Sequence, residues 1–194
     1  MGRRSVSDIF LPPPRATRPW TIIDFLSADV CVLGQIIALH ATNPPPATGG
    51  WTTANTGLVV PFVPKEDCTV IKLGWVNGTV ASGSSCMAIY DSAFARLVTT
   101  GSVAKSGTSA IQWTDTADQA LVRDRLYYIG FNHSATTATH CAGVPTMPRG
   151  ALVMAGCQQQ AVGAVALPDP FVPAAISVDR TVQSLYGQVT AGFS

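Results

Sequence analysis

The chain has 194 residues, of which 47% are hydrophobic and only 12% are charged, and its formal net charge is +1. This length allows one full hydrophobic core with an appendage, since domains usually hold roughly 100 to 200 residues. A chain that is nearly neutral lacks the positive electrostatic potential that attracts proteins to nucleic acid, so we expect no nucleic-acid partner. The low charge fits a subunit partly covered by partners, and we expect its copies to form a homo-oligomer.

The most apolar stretch, residues 21–41, is not expected to span a membrane. Asp24 and Asp29 interrupt it, and the uncharged remainder is shorter than the ~20 apolar residues that a span needs. The arginines near the N-terminus are followed by serines and prolines, which is not the pattern of a secretory signal. We therefore predict folding in a cytosol, where the five cysteines would be reduced and mostly buried.

Residues 1–50 differ in composition from the rest of the chain. Proline clusters at 12–14 and 44–46 bracket an apolar stretch, and proline favours an extended or polyproline conformation. Apolar clusters require burial, so we predict an attachment arm that docks on the chain's own domain or on a partner. The predicted contact residues are Trp20, Ile22, Ile23, Phe25, Leu26 and Trp51.

Residues 51–194 consist of short apolar runs separated by Gly, Asn, Asp, Ser and Pro, which is typical of an antiparallel all-β domain. The predicted strands are 58–63, 68–76, 87–90, 96–99, 109–113 and 126–131. Asn77-Gly78 predicts a tight turn. The run 126–131 has apolar residues on both faces, which indicates a central strand. The spacing favours an antiparallel β-sandwich of the jelly-roll kind.

Several segments of this domain follow one another in an order that is more specific than any one segment. They are LVVPFVPKEDCTVIKLGWVNGTVASGSSCMAIYD, ARLVTTGSVAKSGTSAIQWTDTADQAL, LYYIGFNHSATTATHCAG and ALPDPFVP. Together they cover most of residues 57–174 and resemble a family of small tailed-phage and prophage virion proteins. The resemblance implies a β-sandwich mounted on the virion as a decoration, neck or fibre component, with other capsid, neck or tail proteins as partners. It also implies assembly in the cytoplasm of a bacterial host.

Catalytic and metal-binding chemistry has little support in the sequence. The aspartates that could pair as in a hydrolase are Asp91, Asp115, Asp118 and Asp124. They stand near predicted strand ends, where an aspartate usually bonds its own turn backbone. His133, His140 and Cys141 lack the paired spacing of zinc sites. No nucleophile elbow, P-loop or dinucleotide motif occurs, so we predict no enzyme activity, no cofactor and no metal.

A second hypothesis is a receptor-binding module at a fibre tip that recognises host surface carbohydrate. Loops 82–85 and 134–139 would make the contacts. The aromatic residues that could stack on sugars are Trp75, Trp113, Tyr127, Tyr128 and Phe131. Aromatic residues in strands mostly belong to the core, so we expect most of these five to be buried, and the structural virion protein remains the leading hypothesis.

Overall fold

The computed structural model describes residues 20–21, 49–50, 53–64, 67–135, 139–140, 149–154, 156–177 and 185–191. These residues form antiparallel β-structure with a short helix, which confirms the predicted all-β class. The elements are β1 (Trp20–Thr21), β2 (Gly49–Gly50), β3 (Thr56–Phe62), β4 (Cys68–Val76), β5 (Ser84–Asp91), β6 (Arg96–Thr99), β7 (Val103–Ala104), β8 (Ile111–Leu121), β9 (Tyr127–His133), β10 (Thr139–His140), α1 (Arg149–Met154), β11 (Gln158–Ala161) and β12 (Leu185–Ala191).

The strands form two larger sheets and a small pair. The first sheet has the order β1-β12-β4-β8. The second sheet has the order β11-β3-β9-β5-β6, and β7 also pairs with β5. The small pair joins β10 to β2. Consecutive strands β4 and β5 belong to different sheets, so the chain crosses between the sheets after residue 76.

Strand β9 lies at the centre of the second sheet, between β3 and β5. Ile129 and Phe131 belong to a hydrophobic cluster that also contains residues of the first sheet. Tyr128, which points to the opposite face by strand alternation, packs against a second cluster. Both faces of β9 are therefore covered, which confirms the prediction of a central strand.

The larger cluster joins the two sheets. Trp75 of the first sheet is fully buried, and its ring centroid lies 6.0 Å from that of Phe131 in the second sheet. Leu152 of α1 and Ile176 belong to the same cluster. The strand residues in this cluster are Leu58, Val60, Phe62, Cys68, Val70, Leu73, Trp75, Val76, Met87, Ile89, Val98, Leu121, Tyr127, Ile129 and Phe131.

The other face of the second sheet is covered by residues 163–171, which we call the covering segment. Leu167 and Phe171 are buried in the smaller hydrophobic cluster, and Val165 packs against it. The strand residues in this cluster are Val59, Cys86, Ala88 and Tyr90. The covering segment thus gives the second sheet an apolar cover without contributing a strand of its own.

Hydrogen bonds hold the covering segment in place. The Tyr90 hydroxyl donates to the Pro168 carbonyl at 2.8 Å. The Arg96 guanidinium donates to the Leu167 carbonyl at 2.6 Å. Asn132, fully buried, donates from its amide to two carbonyls of the segment, at 2.8 and 2.9 Å. These bonds pair four backbone carbonyls of the covering segment with side chains of the second sheet.

A bulge explains why the apolar pattern of β4 alternates only in part. Val70 pairs with Val189 and Lys72 pairs with the preceding residue, Gln188, so Ile71 is an extra residue in β4. An extra residue shifts the side-chain alternation by one position. Val70 and Leu73 are therefore both completely buried although they are three residues apart.

Strand β8 is longer than its sequence pattern indicated. The predicted strand 109–113 was expected to end before Asp115, but β8 continues through Asp115 and Asp118 to Leu121. It lies at an edge of the first sheet, and an edge strand with a solvated face tolerates charged residues. The prediction of a strand end at these aspartates was wrong for this reason.

Asn77-Gly78 does not form the predicted tight turn. Gly78 is not among the residues with positive φ, and Asn77 is fully buried. The Asn77 side chain accepts from the Trp75 indole at 2.9 Å and donates to the Ser106 carbonyl and the Gln112 side chain. This asparagine fastens the loop before β8 to the end of β4, so its role is a long-range connection rather than a local reversal.

Replacing Phe171 tests the covering segment. We expect Phe171→Ala to lower the free energy of unfolding by about 3–5 kcal/mol, because the ring is buried against Tyr90 at a centroid distance of 5.6 Å. The neighbouring Val172 is 60% exposed, so Val172→Ala should change stability by less than about 0.5 kcal/mol. Urea denaturation measures both, and similar losses in the two variants would contradict the assignment.

Candidate functional site

The predicted attachment arm enters the described structure at β1. Trp20 pairs with Val189 and Thr21 pairs with Gln188 in antiparallel register. At this point the arm adds a strand to the chain's own first sheet. The other predicted contact residues, Ile22, Ile23, Phe25, Leu26 and Trp51, lie outside the described residues.

Strand β12 provides the edge on which β1 lies. It pairs with β4 along its whole length, from Leu185 to Ala191. On its other side, within the described ranges, β1 covers Gln188 and Val189. Backbone groups at such an edge can bond an added extended segment. The β12 edge is therefore one candidate binding feature of the first sheet.

Of the aromatic residues considered for sugar stacking, most lie in the core, as expected. Trp75, Tyr127 and Phe131 are buried. Tyr128 is stacked on Phe94, with ring centroids 4.5 Å apart. Trp113 differs, because 39% of it is exposed although it lies within a strand.

Trp113 covers a glycine on the neighbouring strand. It pairs directly with Gly74, and a Cβ added to Gly74 would lie 2.7 Å from Trp113 Cε3 and 3.1 Å from Cδ2. The indole ring therefore occupies the space that a side chain at position 74 would fill. A tryptophan that covers a strand glycine stabilises the sheet, and it also lays an aromatic ring on the sheet surface.

An ion pair lies beside this ring on the same face. Lys72 and Asp115 pair directly across β4 and β8, with Nζ 2.9 Å from Oδ1. Lys72 is two residues from Gly74 in β4, and Asp115 is two residues from Trp113 in β8. Side chains two residues apart in a strand point to the same face of the sheet. We call Trp113, Gly74, Lys72 and Asp115 the Trp113 patch. Sequence reasoning named Trp113 among the aromatic residues that could stack on sugars, but it missed the other three residues, because the cross-strand register brings them together.

The loops predicted to recognise carbohydrate are tied to each other. The Ser134 hydroxyl accepts from the Ser84 amide at 2.9 Å, and the Ser134 amide donates to the Ser84 carbonyl at 3.0 Å. The hydroxyl oxygens of Ser82 and Ser85 are shielded from solvent. In the part of these loops that the structure describes, Ser84 and Ser134 therefore connect β5 to β9, and the hydroxyls of Ser82 and Ser85 lie inside the protein.

The candidate metal ligands are not brought together in the described residues. His133 is buried at the end of β9, where Nδ1 accepts from the Ala135 amide at 3.1 Å. Burial, reinforced by the charge of Lys105, lowers the pKa of His133 to about 4. His140 belongs to β10, and Cys141 lies outside the described residues. Across the described ranges no group of three or more His, Cys, Asp or Glu side chains could hold a metal ion.

The four aspartates have two different structural roles. Asp91 accepts from the amides of Ala93 and Ala95 at 2.8 and 2.9 Å, which is the predicted bonding of a turn. Asp124 lies in a turn and has a positive φ of 61°. Asp115 and Asp118 lie within β8 instead, so the predicted turn role was wrong for them.

The described cysteines agree with the expectation of reduced thiols. Cys68, Cys86 and Cys157 are buried thiols. Burial raises the pKa of Cys157 to about 12, which keeps its thiol protonated at neutral pH. Cys31 and Cys141 lie outside the described residues.

Among the residues that the structure describes, no helix is long and apolar enough to cross a membrane. Comparison with protein-family models, curated proteins and solved structures gave no match to this chain.

The burial of His133 predicts a loss of stability in acid. The neutral ring is buried with a pKa of about 4 against 6.5 for the exposed ring, so below pH 6.5 the unfolded chain binds a proton that the folded chain does not. The free energy of unfolding should fall by up to about 3 kcal/mol between pH 6.5 and pH 4, and level off below.

Urea denaturation of the wild type and of His133→Gln at several pH values measures this effect. The variant should lose the part of the pH dependence that comes from this ring. Parallel pH profiles for the two proteins would contradict the assignment.

Proposed function

We propose that this chain is a structural protein of a phage or prophage virion, built as an antiparallel β-sandwich and attached to the particle through its N-terminal arm. The observation that carries the proposal is β1. This strand, Trp20–Thr21, adds the beginning of the apolar arm to the edge of the first sheet. An arm that docks by strand addition is a binding device, and this supports a role in assembly.

The shared hydrophobic cluster supports the sandwich arrangement. Residues of β3, β5 and β9 in the second sheet and of β4 and β8 in the first sheet belong to it. Two sheets that bury one common core form a sandwich when their inner faces pack together. The contact between the rings of Trp75 and Phe131 joins the two sheets within this core.

The register of β1 supports a specific docking mode for the arm. Trp20 lies opposite Val189 and Thr21 opposite Gln188, so the arm enters the sheet in antiparallel register. The β12 edge can receive such a segment from the same chain or from a neighbouring copy. In strand addition the backbone hydrogen bonds supply affinity and the side chains supply specificity.

The composition supports partners that are proteins. Charged residues are only 12% of the chain, so a large contact surface would need little desolvation of charge. The partners are capsid, neck or tail proteins and further copies of this chain. Assembly takes place in the cytoplasm of the bacterial host, and the protein acts by binding and not by catalysis.

The test compares two double substitutions in the encoding phage or prophage. Ile22→Asp with Ile23→Asp places two charges in the apolar arm directly after β1. Ala16→Asp with Thr17→Asp introduces the same charges on the other side of β1 and is the matched control. We expect the first variant to lower the amount of this chain in purified particles at least about tenfold, because burying an unpaired carboxylate costs several kcal/mol, and the control to keep it.

Quantitative mass spectrometry of purified particles measures incorporation, and urea denaturation of the isolated chains checks that both variants fold. Absence of the wild-type chain from the particles would overturn the virion assignment. Equal incorporation of the two variants would overturn the role of the arm.

A further inference from the structure

We propose that the Trp113 patch is a carbohydrate-binding site in which the exposed surface of the Trp113 ring stacks on a neutral pyranose unit of a glycan. Lys72 and Asp115 hydrogen-bond the hydroxyl groups of that sugar or of the next one. This site goes beyond the proposed structural role and does not depend on it. It lies on a sheet face and not in the loops that the sequence favoured for this purpose.

The first step of the argument is the orientation of the indole ring. The ring covers the backbone of Gly74, because its atoms Cε3 and Cδ2 lie where a side chain at this position would begin. One side of the ring is thus occupied by the sheet, and 39% of the residue remains exposed. A ring supported in this way is a fixed aromatic platform, which binds the apolar C–H face of a sugar at little entropic cost.

The second step is the chemistry beside the platform. Asp115 Oδ1 and Lys72 Nζ are 2.9 Å apart, and their side chains are 81% and 38% exposed. The carboxylate accepts hydrogen bonds and the ammonium donates them, so the pair matches hydroxyl groups, which do both. The pair is displaced from Trp113 by two residues, or roughly 7 Å along the strand, which suits the rim of a stacked sugar or its neighbour in a chain.

The third step identifies the ligand class. The positive and negative charges of the pair balance, so the patch favours a neutral ligand over an anion or a cation. A nucleotide would also stack on a tryptophan, but the Lys72 ammonium that could bind its phosphates is already paired with Asp115. A stable protein interface buries roughly 800 Å² on each partner, far more than one exposed ring with one ion pair supplies. A neutral sugar fits both the size and the charge.

Binding of the purified full-length chain to a glycan array tests the proposal, and titration with the glycans that bind gives the affinities. We expect the wild type to bind pyranose-containing glycans. Trp113→Ala should weaken binding at least about tenfold through loss of the stacking contact. Asp115→Asn should weaken it several-fold, since the charged acceptor is lost. Val122→Ala removes a side chain from another exposed apolar residue and should leave binding unchanged.

Loss of the ring could also loosen the sheet at Gly74. Two variants that retain an aromatic ring over Gly74 therefore complete the test. Trp113→Phe retains an aromatic cover and should bind weakly but measurably, and Lys72→Gln leaves the ring untouched and should weaken binding. The proposal is overturned if the wild type binds no glycan, or if Trp113→Ala, Trp113→Phe, Asp115→Asn and Lys72→Gln all bind as the wild type does. Either result leaves the test of particle incorporation unaffected.

Discussion

The second sheet is apolar on both faces, and the rest of the fold follows from the need to cover it twice. Its central strand β9 directs Ile129 and Phe131 to one side and Tyr128 to the other. The first sheet covers one side through the cluster around Trp75, and the covering segment, residues 163–171, covers the other. Exposing either face would leave a large apolar surface in water. The covering segment, which has no strand structure, is therefore held against the second sheet.

Buried polar side chains serve this arrangement. Asn77 fastens the loop before β8 to the end of β4, and Asn132 holds two carbonyls of the covering segment. His133 stays neutral inside the protein and accepts a backbone hydrogen bond. These groups resemble functional residues in a sequence, but their hydrogen bonds connect strands to loops. These hydrogen bonds stabilise the fold because they replace bonds to water that the buried groups have lost.

The two candidate binding features described above both belong to the first sheet. The outer face of the second sheet is occupied by the covering segment, whereas the first sheet offers the β12 edge and the Trp113 patch. The edge offers backbone groups, which suit an extended peptide segment. The patch offers an aromatic ring with a balanced ion pair, which suits a sugar. Two different kinds of partner could thus bind one sheet without competing for the same atoms.

The sequence by itself determined the all-β class and the central position of β9. Alternation of apolar and polar residues and short apolar runs are local patterns, and they indicate directly which faces of a strand are buried. It also identified the turn role of Asp91 and the burial of Cys68, Cys86 and Cys157. The tertiary structure decided that β8 runs on through Asp115 and Asp118, since β8 is an edge strand with a solvated face, where charged side chains are tolerated.

The tertiary structure alone also decided the role of Asn77 and the meeting of Trp113 with Gly74. Asn77 bonds to Ser106 and Gln112, which are far away in the chain. Trp113 and Gly74 meet through the register of β4 with β8. Contacts of this kind depend on how strands align across a sheet, and a one-residue shift would direct every side chain to the opposite face.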